Sequence, residues 1–168
     1  MNVSAHSSTL AAEKPSVLVF ACRWCALLGA ERAGRERIAL DPAFRLIPVE
    51  CAGGVSTDLI LRAFADGFHG IAVMGCHLGG CRHNEANRNA HVRLELLGTA
   101  LNCIGIRKER LLLSWGTAHE AAQFAAALSG FIRDLEQLAA SPDLPVMRGD
   151  FTARSCARRI KEPVHDER

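Results

Sequence analysis

Short apolar runs alternate with amphipathic stretches along most of this chain. Four runs with the apolar, β-branched character of buried strands lie at Val17–Ala21, Phe44–Val49, Gly70–Gly75 and Arg110–Trp115. Each run is followed by a stretch with helical periodicity, at Cys25 to about Ile38, Thr57–Asp66, Glu85–Cys103 and Thr117–Leu138. Four strand–helix units in succession predict an α/β fold in which helices cover both faces of a parallel sheet.

The boundary residues support one domain of this kind. Gly67 and Gly105 follow helical stretches, and Ser56 or Thr57 is placed to cap the second helix. We therefore expect a single α/β domain over residues 16–140, with a sheet of four or more parallel strands and a flavodoxin-like or Rossmann-like topology. Residues 1–15 are predicted to form a flexible N-terminal tail. Residues 141–168 contain three prolines and a basic stretch, and they predict a C-terminal tail.

Composition and charge narrow the possible classes of function. The chain has 168 residues, 49% of them hydrophobic, which is enough to form a core without disulfide bonds. Its formal net charge of +2 gives no reason to expect a nucleic-acid partner. No stretch of about 20 apolar residues predicts membrane insertion, and the first residues lack the pattern of a secretion signal. These features predict a cytoplasmic protein.

The cysteines are the candidate functional residues of this chain. The chain has seven cysteines, at positions 22, 25, 51, 76, 81, 103 and 156, and structural disulfides are rare in the cytoplasm. Cys22, Cys51 and Cys76 lie at or just beyond the ends of predicted strands, and Cys25 and Cys81 lie in the turns that follow. Because parallel strands end at one edge of the sheet, these five thiols are predicted to gather there, where α/β sheets bind ligands.

Three chemistries remain open for five clustered thiols. Four thiolates can hold a structural zinc ion, although the C-x2-C and C-x4-C pairs lie on separate turns of a domain that has its own core. The Cys22/Cys25 pair before a helix also suits a thiol-disulfide or persulfide-handling enzyme. An iron–sulfur cluster gives a role to more of the thiols. Glycines in the same turns would let backbone amides approach sulfur: Gly53, Gly54, Gly75, Gly79 and Gly80.

At these same residues the sequence resembles a known family, the delta subunit of methyl-viologen-reducing hydrogenase. This is the iron–sulfur subunit of hydrogenases that also accompanies heterodisulfide reductase-like and formate dehydrogenase complexes. The matching stretches include "FACRWCALLGAERAG" from Phe20, "RLIPVECAGGV" from Arg45, "LRAFADGFHGIAVMGCHLGGCRHNEAN" from Leu61 and "IRKERLLLSW" from Ile106. The resemblance covers about residues 16–138.

The resemblance implies a non-catalytic electron-transfer subunit that carries a [2Fe–2S] cluster. Such a subunit relays electrons between a hydrogenase or formate dehydrogenase-type oxidoreductase and the flavin-containing subunit of a heterodisulfide reductase-like complex. The cysteines of the family fall on Cys22, Cys25, Cys51, Cys76 and Cys81. The sequence departs from the family at Leu28, Gly54, Leu78 and Gly80, which leaves the thiols in place but changes residues around them.

A [2Fe–2S] cluster needs four thiolates, so one of the five cysteines is expected to be spare. If the sheet begins in the order 2-1-3, Cys22 and Cys76 lie on adjacent strands about 5 Å apart, and Cys51 lies about 10 Å from Cys76. This reasoning favours Cys22, Cys25, Cys76 and Cys81 as ligands and Cys51 as the spare. Gly75, Gly79 and Gly80 are expected to supply amides at the cluster.

Overall fold

The computed structural model of the protein describes residues 14–139. Four strands form one sheet: β1 Val17–Cys22, β2 Phe44–Val49, β3 Gly70–Cys76 and β4 Leu111–Gly116. Four helices connect and follow them: α1 Ala26–Arg35, α2 Thr57–Ala65, α3 Ala86–Cys103 and α4 Ala121–Ala139. Two short 3₁₀ turns lie at Ala52–Gly54 and Lys108–Arg110. The predicted C-terminal tail and residues 1–13 of the predicted N-terminal tail lie outside the described residues.

The four strands are all parallel and lie in the order β2-β1-β3-β4. This is the flavodoxin-like order, and it confirms the predicted α/β fold and the 2-1-3 start of the sheet. Every residue of the central strands β1 and β3 is buried, whereas the edge strands β2 and β4 are partly exposed. The carboxyl ends of all four strands therefore lie at one edge of the sheet.

A separate hydrophobic cluster covers each face of the sheet. On one face, Phe20, Ile71 and Val73 pack with α2 and α3. On the other face, side chains of the same two central strands pack with α4 and α1, and Leu128 of α4 is fully buried there. Alternate residues of a strand point to opposite faces, so the continuous apolar runs of β1 and β3 supply both clusters.

Most element boundaries lie within one residue of the predicted ones, and two differ by more. Ser56 caps α2 by accepting a hydrogen bond from the amide of Leu59 at 3.2 Å, as predicted. The first helix ends at Arg35, before the predicted Ile38, because Arg37 has a left-handed φ of 56°. The last helix begins at Ala121 instead of Thr117, because the Glu120 carboxylate accepts a hydrogen bond from the Thr117 amide at 2.6 Å and closes a separate turn.

No helix in residues 14–139 is both long and apolar enough to cross a membrane.

The packing of α4 on the sheet depends on the missing side chain at Gly70, the first residue of β3. A Cβ there would lie 2.4 Å from Leu135 Cδ1 and 2.9 Å from Phe131 Cζ. We predict that Gly70→Ala lowers the free energy of unfolding by about 1–3 kcal/mol, because α4 must shift to make room. Urea unfolding followed by circular dichroism measures the change.

The matched control is Gly34→Ala in α1, where a Cβ meets no atom within 4 Å. Alanine has the higher helix propensity, so this variant should gain stability of up to about 1 kcal/mol. Equal effects of the two substitutions would contradict the packing explanation.

Candidate functional site

Five cysteines converge at the carboxyl edge of the sheet. Cys22 and Cys76 are the last residues of β1 and β3 and are buried, with 1% and 4% of their surface exposed. Cys25, Cys51 and Cys81 lie in the connections that follow and are half-buried. The two remaining cysteines lie elsewhere: Cys103 is exposed at the end of α3, and Cys156 is outside the described residues.

The sulfur atoms form two neighbouring groups. Cys76 Sγ lies 3.8 Å from Cys22 Sγ and 2.9 Å from Cys25 Sγ. Cys51 Sγ lies 3.7 Å from Cys81 Sγ. The adjacency of Cys22 and Cys76 agrees with the strand order, whereas Cys51 is in direct contact with another thiol of the site. The spacing of strands led us to expect Cys51 further from Cys76 than Cys22 is. The turn after β2 places Cys51 beside Cys81.

Two contacts with α3 produce the pairing of Cys51 with Cys81. Gly53 lies against the first turn of α3 so closely that a Cβ there would be 2.7 Å from Ala86 Cβ. Arg93, two turns further along α3, donates hydrogen bonds from Nη2 to the carbonyls of Gly53 and Val55, both at 3.0 Å. The turn that begins at Cys51 is thereby held against the helix that begins just after Cys81.

Asn87 fixes the end of β3 to the same helix, and sequence reasoning missed it. Its Nδ2 donates to the carbonyls of Cys76 and His77, both at 2.8 Å, and the residue is 1% exposed. Its Oδ1 is buried and has no hydrogen-bond partner among the described residues. Asn87 belongs to the buried stripe of α3 with Ala90, Leu94 and Leu101. A polar residue on that apolar stripe was the signal that could have identified it.

Backbone amides give the two sulfurs of the second group different electrostatics. Burial tends to raise the pKa of Cys81, but hydrogen bonds from the backbone amides of His83, Asn87 and Ala86 outweigh it and lower the pKa. The His83 amide lies 3.4 Å from Cys81 Sγ. Burial raises the pKa of Cys51, although the Gly53 amide donates to its sulfur at 3.3 Å.

Burial also dominates at Cys76. It raises the pKa of this thiol well above the usual range, and the neighbouring thiols of Cys25 and Cys22 act in the same direction. Charged sulfur is therefore easier to form at Cys81 than at Cys51 or Cys76.

The three glycines predicted as amide donors have other structural roles. Gly75 makes room for Trp115 and Ala52, because a Cβ would lie 2.7 Å from Trp115 Cζ3. Gly79 has a φ of 88°, which the turn after β3 requires. The Gly80 amide donates to the carbonyl of His77 at 2.8 Å, and its expected role at the cluster stays a prediction.

Two exposed contacts flank the sulfur atoms. His77 Nε2 lies 3.0 Å from Glu120 Oε2. The pKa of Glu120 is lowered mainly by a hydrogen bond from the Thr117 amide. The Thr117 side chain and the nearby His77 lower it further. On the other side, the guanidinium of Arg82 stacks on the Trp24 ring, 4.1 Å from the ring centre.

A single metal ion does not fit the arrangement of these side chains. Within residues 14–139, no group of three or more His, Cys, Asp or Glu side chains is placed to hold one ion. The thiols instead form one group of three and one pair. A tetrahedral metal with metal–sulfur bonds of about 2.3 Å separates two of its sulfur ligands by about 3.8 Å. The Cys22–Cys76 and Cys51–Cys81 distances agree with that spacing.

Comparison with known protein families finds a match over the α/β domain. The family described as methyl-viologen-reducing hydrogenase, delta subunit, matches residues 17–139. The chain belongs to this family. The match spans all four strands and all four helices of the domain, so the resemblance of the cysteine-containing stretches extends over the whole fold.

Individual relatives of this delta-subunit chain fall into two kinds. It is 34% identical to the iron-sulfur subunit of the F420-non-reducing hydrogenase of Archaeoglobus profundus, over 74% of this chain and 91% of that protein. It is 35% identical to the iron-sulfur subunit of the vhc F420-non-reducing hydrogenase of Methanococcus voltae, over 69% and 81%. It is also 29% identical to one subunit of the CoB-CoM heterodisulfide reductase of Methanosarcina acetivorans, over 80% of this chain but 16% of that protein.

The unequal pKa values predict the order in which the thiols react. The thiolate is the reactive form, so Cys81, with its lowered pKa, should reach full reactivity at a lower pH than Cys51, with its raised pKa. The measurement is alkylation of the reduced, metal-free protein with iodoacetamide over a range of pH, read out by peptide mass spectrometry. The midpoint pH, unlike the rate itself, separates ionisation from access. A midpoint for Cys81 at or above that of Cys51 would contradict the prediction.

Proposed function

We propose that this chain is an electron-transfer subunit that carries a [2Fe–2S] cluster at the carboxyl edge of its sheet. The observation that supports this proposal most directly is the approach of five thiols in two neighbouring groups within one site. Each iron of such a cluster takes two thiolates and shares two bridging sulfides, so paired thiols suit it better than they suit a single ion. The relatives named as iron-sulfur subunits support the same cofactor.

The sulfur distances favour a particular set of four ligands. Cys51 and Cys81, 3.7 Å apart, would hold one iron, and Cys22 and Cys76, 3.8 Å apart, would hold the other. Cys25 lies 2.9 Å from Cys76, which is closer than two sulfurs on one tetrahedral metal and far from the bond length of about 2 Å in a disulfide. This assignment makes Cys25 the fifth thiol, in place of Cys51.

The subunit would pass electrons between larger proteins and catalyse no reaction of its own. Its family suggests a hydrogenase or formate dehydrogenase-type oxidoreductase as one partner. Its likeness to part of a heterodisulfide reductase protein suggests a flavin-containing subunit of that kind as the other. Exposed apolar residues around the cysteine turns, Trp24, Leu28 and Leu78, provide surface on which such proteins can dock near the cluster.

The content of iron and sulfide tests the cofactor. Protein purified or reconstituted without oxygen should contain about two irons and two sulfides per chain, and after one-electron reduction it should give an electron paramagnetic resonance signal. A stoichiometric zinc content would favour a zinc-stabilised interaction module instead. A colourless, metal-free protein with a readily oxidised cysteine pair would favour thiol-disulfide or persulfide chemistry, with Cys25 and its neighbours as the reactive group.

Two cysteine variants test the ligand set. We predict that Cys51→Ala reduces iron binding several-fold, because it leaves one iron with a single thiolate, whereas Cys25→Ala keeps close to the full iron content. Cys103→Ala, at the exposed end of α3, is the matched control and should bind iron as the unmodified chain does. The reverse result, with iron kept by Cys51→Ala and lost by Cys25→Ala, would restore the assignment made from strand spacing.

A further inference from the structure

Backbone amide donors are distributed unequally over the five sulfurs. Gly53 donates to Cys51 Sγ at 3.3 Å, and His83 donates to Cys81 Sγ at 3.4 Å. Within the part of the chain that the structure describes, Cys22, Cys25 and Cys76 contact other thiols, and Cys22 also contacts the carbonyl of Glu50, but none of them accepts an amide hydrogen bond.

Amide hydrogen bonds to sulfur stabilise negative charge. Each N–H group directs the positive end of its dipole at the sulfur, and such bonds are among the factors that set the potential of an iron–sulfur cluster. When a [2Fe–2S] cluster takes up one electron, one iron changes from the ferric to the ferrous state and no bond is made or broken. The added negative charge spreads to the sulfurs that bind that iron. An unequal supply of donors therefore makes the two sides of the site unequal acceptors.

We infer that the Cys51–Cys81 side of the site would hold the added electron, stabilised by the amides of Gly53 and His83, which donate to its two sulfurs at 3.3 and 3.4 Å. This inference rests on the proposed function, since it concerns the cluster proposed there. The electron would come from the donor protein, leave to the acceptor protein and require no proton transfer. The Cys22–Cys76 side, buried and without amide donors among the described residues, would keep its iron in the ferric state.

Asn87 is the positioning residue for these donors. Through its side chain it ties the carbonyls of Cys76 and His77 to the first turn of α3, the helix that follows the turn of Cys81 and His83. The close contact of Gly53 with Ala86 holds the donor to Cys51 against the same turn. Loss of the Asn87 side chain would free both carbonyls and loosen the turn from the end of β3, so that the amides would lie further from the Cys81 sulfur.

The first test compares two substitutions of the same type in one helix. Asn87→Leu should make the potential of the cluster more negative, with the equilibrium constant for one-electron reduction lowered about tenfold, or by about 59 mV. Asn102→Leu is the control, because Asn102 lies at the far end of α3 and accepts a hydrogen bond from Lys108 through Oδ1. Potentials are measured by spectroscopic redox titration at equal iron content. An unchanged potential in Asn87→Leu, or an equal shift in both variants, overturns the positioning role.

The second test needs no substitution, so it decides the inference even if Asn87→Leu fails to fold. In the proton magnetic resonance spectrum of the reduced protein, the cysteine β-protons at ferrous iron shift in the opposite direction with temperature from those at ferric iron. Signals assigned to Cys51 and Cys81 through their contacts with Gly53 and Ala86 should show the ferrous behaviour. Ferric behaviour at these two cysteines overturns the inference. A wild-type chain without iron and sulfide would instead reject the proposed function.

Discussion

The geometry of the sulfur site depends on how one helix turn packs against its neighbours. The first turn of α3 must lie against the turn that begins at Cys51 and against the end of β3 at the same time. The first contact requires glycine at position 53, because any side chain there would collide with Ala86. The second is made by Asn87, whose two hydrogen bonds hold the carbonyls of Cys76 and His77. Segments far apart in the sequence are thus brought together by α3, which places Cys51 beside Cys81.

Close packing of thiols creates an electrostatic conflict that shapes the site. Burial and neighbouring thiols raise the pKa of Cys76 and of Cys51, so free thiolates are costly there. At Cys81 backbone amides, first that of His83 in the turn before α3, overcome burial and lower the pKa. A bound metal resolves the conflict, since it takes thiolate ligands and neutralises their charge. The arrangement therefore favours sulfur that is bound to metal over five free thiolates in contact.

The sequence predicted the fold and the gathering of the cysteines, because both follow from periodicity and from parallel strands that end at one edge. It did not predict the contact of Cys51 with Cys81, because strand spacing describes where β2 ends and not where the following turn leads. That path is decided by contacts of Gly53 and Arg93 with α3, which leave no periodic signal. The hydrogen bond from the Gly80 amide to the carbonyl of His77 was missed for a related reason, since it is local to one turn.

Both amide hydrogen bonds to the clustered sulfurs come from the backbone, and this matters for electron transfer. Amides at the start of a helix and in a tight turn are fixed before an electron arrives, so they stabilise charge without having to reorient. The side chains that hold these segments in place lie largely inside the protein. Asn87 is buried, and Arg93 is half-buried between α3 and the turn after β2. Under the proposed function, a partner that docks on the exposed Trp24 and Leu78 would touch other side chains than the ones that hold these amides in place. The exposed surface near the cysteine turns and the buried anchors of the site are thus formed by different residues.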